Sequence, residues 1–351
     1  MELSFWRGKR VFITGHTGFK GSWLCRVLLR LGAELTGYAL APAEGGLFGL
    51  LPEDGGLASV EGDIRDLDRL KEAYKWAAPD VAIHMAAQPY VRESYERPAY
   101  TYGVNVMGTV NILECVRLYG AASFLNVTTD KVYRNNEWCW GYREEDPLDG
   151  CDPYSNSKSC SEMATGSYKR SFLSGTTVST ARAGNVIGGG DFAPGRIIPD
   201  CARAAMGGRA IAIRNPDSVR PYQHVLEPLF AYLLIARAQM DDPGKAGSYN
   251  VGPGEGGCAS AKDLADLFCR HWGGGLNWEP VEARGPHEAG ILRLDCSKIR
   301  AALGWKPKWG MEKAVEKTVE WYKALSLKED VVSLMDRQIE EYCSSGGEAD
   351  V

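Results

Sequence analysis

The first half of this chain alternates short apolar runs with segments of helical periodicity, and this alternation constrains the fold more than any other feature. Six predicted strands lie at or within residues 10–14, 34–40, 58–64, 81–87, 122–129 and 176–183. Helical spacing of apolar residues marks segments at about 22–32, 67–77, 100–119 and 153–172. Strands that alternate with helices form parallel sheets with helices on both faces. The sequence therefore predicts an α/β fold built on a doubly wound parallel sheet.

The pattern changes after residue 184, where segments become shorter and richer in Gly and Pro. Examples are FAPGRIIPD, RNPDSVRPYQH, YNVGPGEGG and ARGPHEAG. A length of 351 residues suggests about two domains. We expect residues 1–184 to form a Rossmann-type dinucleotide-binding domain. Residues 185–343 should form a smaller mixed α/β substrate-binding domain, with some segments returning to the first domain, and residues 344–351 are a predicted tail.

Charge and cysteine patterns exclude several classes of protein. Forty basic residues against forty-five acidic ones give a net charge of -5, and no basic block indicates binding to nucleic acid or an anionic membrane. No apolar run approaches the roughly 18 residues that span a bilayer, and the first residues lack a signal-peptide layout. The ten cysteines form no CxxC pair and no zinc-spaced cluster with histidine. We therefore expect a cytoplasmic protein with reduced thiols, no metal site and no nucleic-acid or membrane partner.

A glycine-rich turn, TGHTGFKG at residues 14–21, joins the first predicted strand to the first helix. Glycine lets the backbone approach a pyrophosphate, and the helix N-terminus offers unpaired N–H groups and a favourable dipole. The spacing GxxGxxG is one residue longer than the common dinucleotide fingerprint, and a tight turn that merely requires glycine is the alternative. The residues of this turn that are predicted to bind the cofactor are Gly15, Thr17, Gly18, Phe19, Lys20 and Gly21.

The ends of the next two predicted strands are the places where a dinucleotide-binding fold would contact the adenosine half of its ligand. An acid at the end of the second strand often binds the adenosine ribose, but here that strand ends GYALAP, without an acid or an arginine. The choice between NAD and NADP therefore stays open at this position. Asp63 ends the third predicted strand, where it could bind the adenine amino group; a helix N-cap is its alternative role.

Tyr154 and Lys158 are four residues apart in a predicted helix, so they share one face of it. A free tyrosine has a pKa near 10 and is a poor base at neutral pH. A neighbouring ammonium group stabilises the phenolate and lowers that pKa. The pair therefore predicts proton abstraction from an alcohol that is being oxidised, with an ordinary surface Tyr–Lys pair as the alternative.

Six stretches, in the order of the chain, carry a resemblance to a known family. They are TGHTGFKG, HMAAQP, TTDKVY, DPYSNSK, ARAGNVIGGGD and RPYQHVLEPL. With them the chain resembles the extended short-chain dehydrogenase/reductase superfamily, and within it the CDP-glucose 4,6-dehydratases, from about residue 5 to about residue 340. The resemblance implies NAD as cofactor and a lyase that converts CDP-glucose to CDP-4-keto-6-deoxyglucose. It places this reaction in deoxysugar biosynthesis, such as that of lipopolysaccharide O-antigen.

The family's chemistry gives the polar stretch TTDK, after the fifth predicted strand, a role. Thr129 would hydrogen-bond the sugar O4 together with Tyr154, which would take the proton when C4 is oxidised. A ketone at C4 makes the C5 proton removable, and an acid must protonate the departing C6 hydroxyl. Other nucleotide-sugar 4,6-dehydratases use Thr-Asp-Glu, with Asp as the acid and Glu as the C5 base. Here Lys131 follows Asp130, as a base with a lowered pKa, an enolate-stabilising cation or an exposed loop residue.

The resemblance also implies further contacts and partners. The cofactor would contact Ile64, Ala86, Ala87, Gln88 and Asn105, besides the glycine turn, Asp63 and the Tyr154–Lys158 pair. Arginine binds phosphate bidentately, and relatives hold the sugar nucleotide in the segments that contain Asn185, Arg196, Arg220, His224, Tyr249 and Arg293. Relatives also pair the helices near residues 100–119 and 153–172 with their copies, which implies a homodimer or a tetramer.

Three alternatives stay open. A 4,6-dehydratase of another nucleotide sugar fits, because no residue distinguishes cytidine from thymidine or guanosine on physical grounds. A nucleotide-sugar 4-epimerase would share the fold, the cofactor and the Tyr–Lys pair, but it would have no use for Asp130 and Lys131. A non-catalytic dinucleotide-binding protein would tolerate the loss of Tyr154 or Lys158, and both are present.

Overall fold

A computed structural model describes residues 3–52, 56–254, 257–282 and 291–345. The strands are β1 Arg10–Thr14, β2 Glu34–Ala39, β3 Leu57–Glu61, β4 Val81–His84, β5 Ser123–Val127, β6 Thr177–Ala183, β7 Asn185–Ile187, β8 Ile211–Ile213, β9 Val219–His224, β10 Ser248–Val251, β11 Cys258–Ser260 and β12 Trp278–Pro280. The helices are α1 Phe19–Arg30, α2 Leu67–Ala77, α3 Val91–Glu96, α4 Pro98–Tyr102, α5 Gly108–Tyr119, α6 Pro153–Ser171, α7 Ile197–Met206, α8 Leu226–Asp241, α9 Ala261–Trp272, α10 Ser297–Leu303, α11 Met311–Ser326 and α12 Val331–Ser344. Short 3₁₀ turns cover Leu3–Trp6, Leu47–Leu50, Asp130–Val132 and Pro243–Lys245, and a π-helical turn covers Gly103–Met107. None of the helices in these ranges is long and apolar enough to cross a membrane.

Seven parallel strands form the main sheet in the order β10-β6-β5-β4-β1-β2-β3. Its first six strands in chain order coincide with the six predicted runs, so the predicted doubly wound parallel sheet is confirmed. β1 pairs with β2 on one side and with β4 on the other, so the connections run away from β1 in opposite directions. This reversal opens a crevice at the carboxyl ends of β1 and β4, which is where such sheets bind ligands.

The central strands are buried along almost their whole length because both faces of the sheet are covered by helices. Successive side chains of a strand point to opposite faces. Val11 and Ile13 therefore belong to the core that α1 and α8 complete. Phe12, between them, packs edge-on against Tyr74 in the core that α2 and α5 complete. This double burial fixes the sheet and holds its polar strand ends at one edge.

The second half of the chain forms two small sheets and returns one strand to the main sheet. β11, β9 and β7 form a mixed sheet, and β8 pairs in parallel with β12. β10 joins the main sheet beside β6, with Ser248 opposite Thr180. The division at residue 184 remains a prediction. Most of the predicted tail, residues 346–351, and the whole stretch ARGPHEAG, residues 283–290, lie outside the described residues.

The helix predicted over residues 100–119 is interrupted. α4 ends at Tyr102, the π-helical turn follows, and α5 begins at Gly108. Gly108 permits close approach to the loop after β3, because a Cβ there would lie 2.7 Å from Cγ2 of Ile64. π-helical turns are rare and occur mostly at functional sites. This one carries Asn105, which is fully buried and hydrogen-bonds the loop after β4, as described below.

Candidate active site

The carboxyl ends of the parallel strands open into a cavity of about 680 Å³. Several predicted site residues lie in its wall, and they come from segments far apart in the chain: Phe19, Lys20, Thr129, Asp130, Lys131, Tyr154, Asn185, Arg196 and Arg220. The main sheet contributes the catalytic candidates, and the second half of the chain contributes cations. One cavity thus unites four of the five predicted catalytic residues with predicted residues for the cofactor and the substrate.

The glycine turn has the shape that a dinucleotide phosphate requires. Gly15 has a φ of +78°, and a Cβ there would lie 2.8 Å from the Ala86 nitrogen. A Cβ on Gly21 would lie 2.2 Å from the Gly15 carbonyl oxygen. Gly18 caps α1 with extended backbone and no side-chain cap, so the first N–H groups of the helix stay available. The turn therefore fits a pyrophosphate, and side chains other than glycine would close it.

The loop after β4 is tied to the helix that carries the Tyr–Lys pair. The Thr14 hydroxyl accepts hydrogen bonds from the backbone N–H groups of Met85 and Ala86, each at 3.1 Å. Asn105 accepts from the Gln88 N–H at 2.8 Å and donates to the Gln88 carbonyl at 3.1 Å and the Ser157 hydroxyl at 2.9 Å. The half-buried Ala87 lies in the same loop. The π-helical turn thus fixes the predicted cofactor loop against α6.

The other predicted cofactor residues lie along the ends of β2 and β3. The Thr17 hydroxyl donates to the Leu40 carbonyl at 3.1 Å, which joins the glycine turn to the end of β2. Asp63 pairs with Arg65 at 2.6 Å, and this hydrogen-bonded pair lowers the pKa of the carboxyl. Asp66, not Asp63, caps α2, so the alternative role of Asp63 as that cap is wrong. Its carboxylate stays ionised and partly exposed beyond β3.

Tyr154 and Lys158 are both buried on α6, near the end of β5. The helix begins where Asp152 accepts from the Ser155 N–H at 2.9 Å, with Pro153 at its first position. The Lys158 ammonium donates to the Val127 carbonyl at 3.2 Å. Burial, together with the nearby charge of Lys20, lowers the pKa of Lys158 to about 7.

The pKa of Tyr154 differs from the sequence-based expectation. Burial raises it to about 12, and a hydrogen bond with the Thr129 hydroxyl only partly opposes the rise. The predicted lowering by Lys158 is therefore not found, because the loss of hydration penalises the phenolate more than neighbouring groups stabilise it. Tyr154 is consequently a neutral phenol held beside Thr129.

Asp130 has the properties of a proton donor. Its side chain is 1% exposed, and burial raises its pKa against the opposing effects of Lys131, Thr129 and Arg220. One carboxyl oxygen accepts from the Thr129 hydroxyl at 2.9 Å. The other, Oδ2, has no hydrogen-bond partner among the described residues and belongs to a residue of the cavity wall. A carboxyl group in this setting can hold a proton and present it to a ligand.

Lys131 also lies in the cavity wall, with a half-buried side chain. It follows Asp130 in a 3₁₀ turn that Thr129 caps, because the Thr129 hydroxyl accepts from the Lys131 N–H at 3.4 Å. The three residues TDK therefore face one space with Tyr154. The alternative of a fully exposed loop lysine is not what the structure shows.

Three of the six predicted substrate residues line the cavity. Arg196 forms an ion pair with Asp191 at 3.0 Å and lies over the Tyr90 ring at 5.5 Å. Arg220 is buried in β9 and donates to the Val219 carbonyl at 2.9 Å. Asn185 begins β7. Asp191 and Tyr90 were missed from the sequence, although Asp191 ends the run GGGD, where a polar residue after three glycines is a usable signal.

The other three predicted substrate residues lie elsewhere, so their assignment is corrected. His224 is fully buried between Trp23 and Trp309, with ring centroids at 6.0 and 4.9 Å, because β9 has entered the core at that point. Tyr249 faces away from the cavity, and its hydroxyl donates to the Lys245 carbonyl at 2.5 Å. Arg293 lines a separate cavity of about 340 Å³ with Cys258.

Comparison with protein families matches residues 12–318 to the family described as GDP-mannose 4,6 dehydratase. The chain belongs to this family. The family assignment agrees with the predicted resemblance to nucleotide-sugar dehydratases, and the expected enzyme class, a dehydratase, is confirmed. Within the described residues, no group of three or more His, Cys, Asp or Glu side chains could hold a metal ion.

Curated relatives in the family are dehydratases. The chain is 43% identical over 355 residues to a CDP-glucose 4,6-dehydratase of Salmonella typhimurium, covering 98% of this chain and 99% of the relative. It is 30% identical over 325 residues to a dTDP-glucose 4,6-dehydratase of Streptomyces antibioticus, covering 89% and 92%.

Solved structures share the fold. A UDP-glucose 4-epimerase of Thermus thermophilus, in complex with NAD, matches with a TM-score of 0.78 at 26% identity and covers 89% of this chain and 98% of its own. A dTDP-glucose 4,6-dehydratase of Bacillus anthracis, also in complex with NAD, matches with a TM-score of 0.77 at 21% identity and covers 92% and 99%. The family fold therefore supports both epimerases and dehydratases, so the residues of the site must decide between them.

Proposed function

We propose that this chain is an NAD-dependent lyase that converts CDP-glucose to CDP-4-keto-6-deoxyglucose. The observation that carries the proposal is the placement of Asp130 and Lys131 in one cavity with Thr129 and Tyr154. An epimerase needs only the hydroxyl and the Tyr–Lys pair, whereas a dehydratase also needs an acid at C6 and a group at C5. The choice of CDP-glucose is supported by the 43% identity to the Salmonella typhimurium enzyme.

The first half of the reaction uses the residues around Tyr154. NAD, bound by the glycine turn and the loop after β4, would accept the hydride from C4 of the sugar and later return it to C6. The Thr129 hydroxyl would hold the sugar O4 beside the phenol, with which it already shares a hydrogen bond. Tyr154 would take the O4 proton, and Lys158 would stabilise the resulting phenolate.

The second half of the reaction uses the neighbouring Asp130 and Lys131. A ketone at C4 makes the C5 proton acidic, so the C5–H bond can break while its electrons form the C5–C6 double bond. Asp130 would donate its proton to the departing C6 hydroxyl, which leaves as water. Lys131 would either take the C5 proton or, as a cation, stabilise the enolate at O4 while another group takes that proton. The hydride returned to C6 would be matched by a proton added at C5, so no net oxidation occurs, and Asp130 must regain a proton before the next turnover.

Cations and backbone donors of the second half of the chain would hold the diphosphate of the substrate. Arg196 and Arg220 line the cavity, and a guanidinium group can bind phosphate bidentately. Asn185 also lines the cavity and can donate from its amide. Arg293 is not needed for this scheme, since it faces the smaller cavity.

The test is a product assay with a panel of nucleotide sugars. The purified protein, with added NAD, is incubated with the CDP, dTDP, UDP and GDP forms of glucose. We expect a 4-keto-6-deoxy product, detected by its absorbance in alkali and by the loss of one water in mass spectrometry, to form fastest from CDP-glucose. A product of unchanged mass would indicate an epimerase, and accumulation of reduced nicotinamide without water loss would indicate a simple dehydrogenase. Either result would contradict the proposal.

We also propose a homodimer formed through α5 and α6. Large apolar side chains are exposed on both helices, including Leu118 at 46% on α5 and Met163 at 54% and Phe172 at 57% on or just after α6. Exposed apolar clusters of this kind mark interaction surfaces. Light scattering after gel filtration should give twice the monomer mass, and Met163→Glu should shift it toward the monomer. Four times the monomer mass would replace the dimer with the alternative tetramer.

We also propose that the protein is located in the cytoplasm. All ten cysteines are free of disulfides, and Cys139 and Cys151 are exposed. Exposed thiols persist in reducing compartments. Fractionation of the source cells with an antibody to this chain should recover it with cytoplasmic markers, and recovery with a secreted fraction would contradict the proposal.

A further inference from the structure

The ion pair between Glu162 and Arg182 is fully buried, and it adjoins the candidate catalytic residues. Glu162 and Arg182 have side-chain exposures of 2% and 3%, and the shortest of their contacts is 2.9 Å. Burying two charges costs hydration that their attraction seldom repays, and apolar replacements are often as stable. Simple stabilisation of the fold therefore does not account for this pair. The other hydrogen bonds of Glu162 and Arg182 identify another role for the pair.

Each of the two carboxylate oxygens of Glu162 accepts one hydrogen bond from Arg182 and one from a threonine hydroxyl. Oε1 accepts from Arg182 Nε at 3.0 Å and from the Thr128 hydroxyl at 2.5 Å. Oε2 accepts from Arg182 Nη2 at 2.9 Å and from the Thr180 hydroxyl at 2.7 Å. Thr128 is the residue before the catalytic stretch TDK, whereas Thr180 lies inside β6. A buried network whose groups are all satisfied is rigid, so the carboxylate fixes both threonines in place.

Arg182 holds the other end of the same catalytic stretch. Its Nη1 donates to the Tyr133 hydroxyl at 2.9 Å and to the Glu144 carbonyl at 2.8 Å. The Tyr133 hydroxyl in turn donates to Asn250 Oδ1 at 2.6 Å. Residues 129–132 are therefore held at both ends, by Thr128 through the carboxylate and by Tyr133 through the guanidinium group.

Glu162 also belongs to the helix of the redox pair. It lies four residues after Lys158 and eight after Tyr154 on α6, so all three share one face. We propose that Glu162 and Arg182 are positioning residues that hold Asp130 and Lys131 in register with Tyr154 and Lys158. The proposal rests on the dehydratase function, because only that reaction needs both groups of residues to act on adjacent carbon atoms.

Geometry of this kind has a large effect on rate. A displacement of about 1 Å in a catalytic group can cost about a hundredfold in rate. The network therefore predicts a defect in catalysis that exceeds the defect in folding or substrate binding. It also predicts that elimination slows more than oxidation, since Thr129 keeps its own hydrogen bond to Tyr154.

The test compares two matched variants, Thr128→Val and Thr180→Val. Each removes one hydroxyl that donates to Glu162 and leaves the corresponding carboxyl oxygen bonded to Arg182. We expect Thr128→Val to lower kcat at least about tenfold with KM changed less than about twofold, and Thr180→Val to stay near wild type. Thr128→Ser, which keeps the hydroxyl, should restore most of the activity.

Two further readouts separate positioning from other effects. In a single turnover, Thr128→Val should accumulate reduced nicotinamide and the 4-keto hexose, because elimination lags behind oxidation. Hydrogen exchange of peptides spanning residues 123–134 should rise in Thr128→Val and not in Thr180→Val, and this measurement does not depend on activity. Equal losses in both valine variants, or no loss in either, would overturn the proposal. Failure of the wild-type protein to dehydrate any nucleotide sugar would instead overturn the proposed function, and the exchange data would still report on the network.

Discussion

At the scale of single residues, the site contains two buried groups, Asp130 and Lys158, whose pKa values differ from their ordinary values. Burial raises the pKa of the Asp130 carboxyl, which favours its protonated form as a donor. Burial lowers the pKa of Lys158 to about 7, so its charge is sensitive to pH near neutrality. Environments that drive the pKa values of titratable groups away from their ordinary values are typical of catalytic sites. Substitutions at two other residues of the site, Tyr154 and Lys131, test the proposed reaction.

Tyr154→Phe should retain the fold and lose C4 oxidation. The phenol is the proposed proton acceptor, and phenylalanine removes only its oxygen. Loss of a general base costs about two to four decades in rate. The matched control is Tyr168→Phe on the same helix, whose hydroxyl donates to Glu114 at 2.7 Å away from the cavity, and it should keep normal turnover. Wild-type turnover of a folded Tyr154→Phe protein would assign the base to another residue.

Lys131→Met should stop the reaction after oxidation. Methionine removes the charge and keeps most of the chain length, so the 4-keto hexose should still form while water loss stalls. Exchange of the C5 hydrogen with deuterated solvent should fall in parallel. Single-turnover absorbance of reduced nicotinamide, combined with mass spectrometry of the sugar, measures both steps. Lys262→Met, on the exposed surface of α9, is the control. A drop in oxidation itself would instead indicate a role in placing the cofactor.

At the scale of elements, the entry to α1 and the break between α4 and α5 both shape the cofactor crevice. The glycine turn brings α1 within contact of the loop after β4, and the π-helical turn fixes that loop through Asn105. Each element is positioned by backbone geometry, and side-chain bonds then hold it. A substitution at a residue that sets this backbone geometry should therefore weaken cofactor binding more than a substitution on the exposed surface of the same helices would.

Gly21→Ala should weaken cofactor binding severely. Its Cβ would lie 2.2 Å from the Gly15 carbonyl oxygen, and this contact is with backbone that cannot rotate away. The helix must shift outward, which distorts the pyrophosphate turn and destabilises the fold. Gly166→Ala within α6 is the matched control, since its nearest neighbour is the flexible end of Arg170 at 3.3 Å, and alanine should stabilise that helix by about 0.5–1 kcal/mol. Titration with NAD and thermal unfolding measure the two effects, and normal NAD affinity in Gly21→Ala would contradict the assigned role of the turn.

At the scale of the whole molecule, buried histidines link stability to pH. Burial lowers the pKa of His16 to about 4 and those of His84 and His224 to about 3. Their unfolded value is near 6.5, so the unfolded chain binds more protons below that pH. Their stabilising contribution is complete above pH 6.5 and is lost as pH falls toward the folded values. Glu227 opposes this trend, because burial raises its pKa to about 7 and its contribution is lost as pH rises through that value.

The free energy of unfolding should therefore fall on acidification from about pH 7 to about pH 5. Each histidine contributes a slope of up to about 1.4 kcal/mol per pH unit, and Glu227 subtracts a similar amount over part of the range. Urea unfolding at several pH values measures the slope. Glu227→Gln should steepen it by removing the opposing group. A flat profile in the wild-type protein would show that these histidines are solvated in solution.

The sequence alone determined the sheet, and it named the candidate catalytic groups, whose roles stay a prediction. Apolar runs of five to seven residues, separated by helical segments, specify parallel strands because each pattern is local and repeats every two or 3.6 residues. The spacing of Tyr154 and Lys158 puts them on one face of a helix for the same reason. Glycine is required at Gly15 by its positive φ of +78°, and at Gly21 because a Cβ there would lie 2.2 Å from the Gly15 carbonyl oxygen.

Tertiary structure alone decided which polar groups are buried and what their partners are. His224 lies in the same stretch as Arg220, yet one is enclosed by tryptophans of α1 and the 305–310 loop while the other lines the cavity. Burial also reversed the expected pKa shift of Tyr154. The pairing of Glu162 with Arg182 joins residues 20 positions apart. Hydration and charge depend on every segment that packs around a group, so no local pattern could specify them.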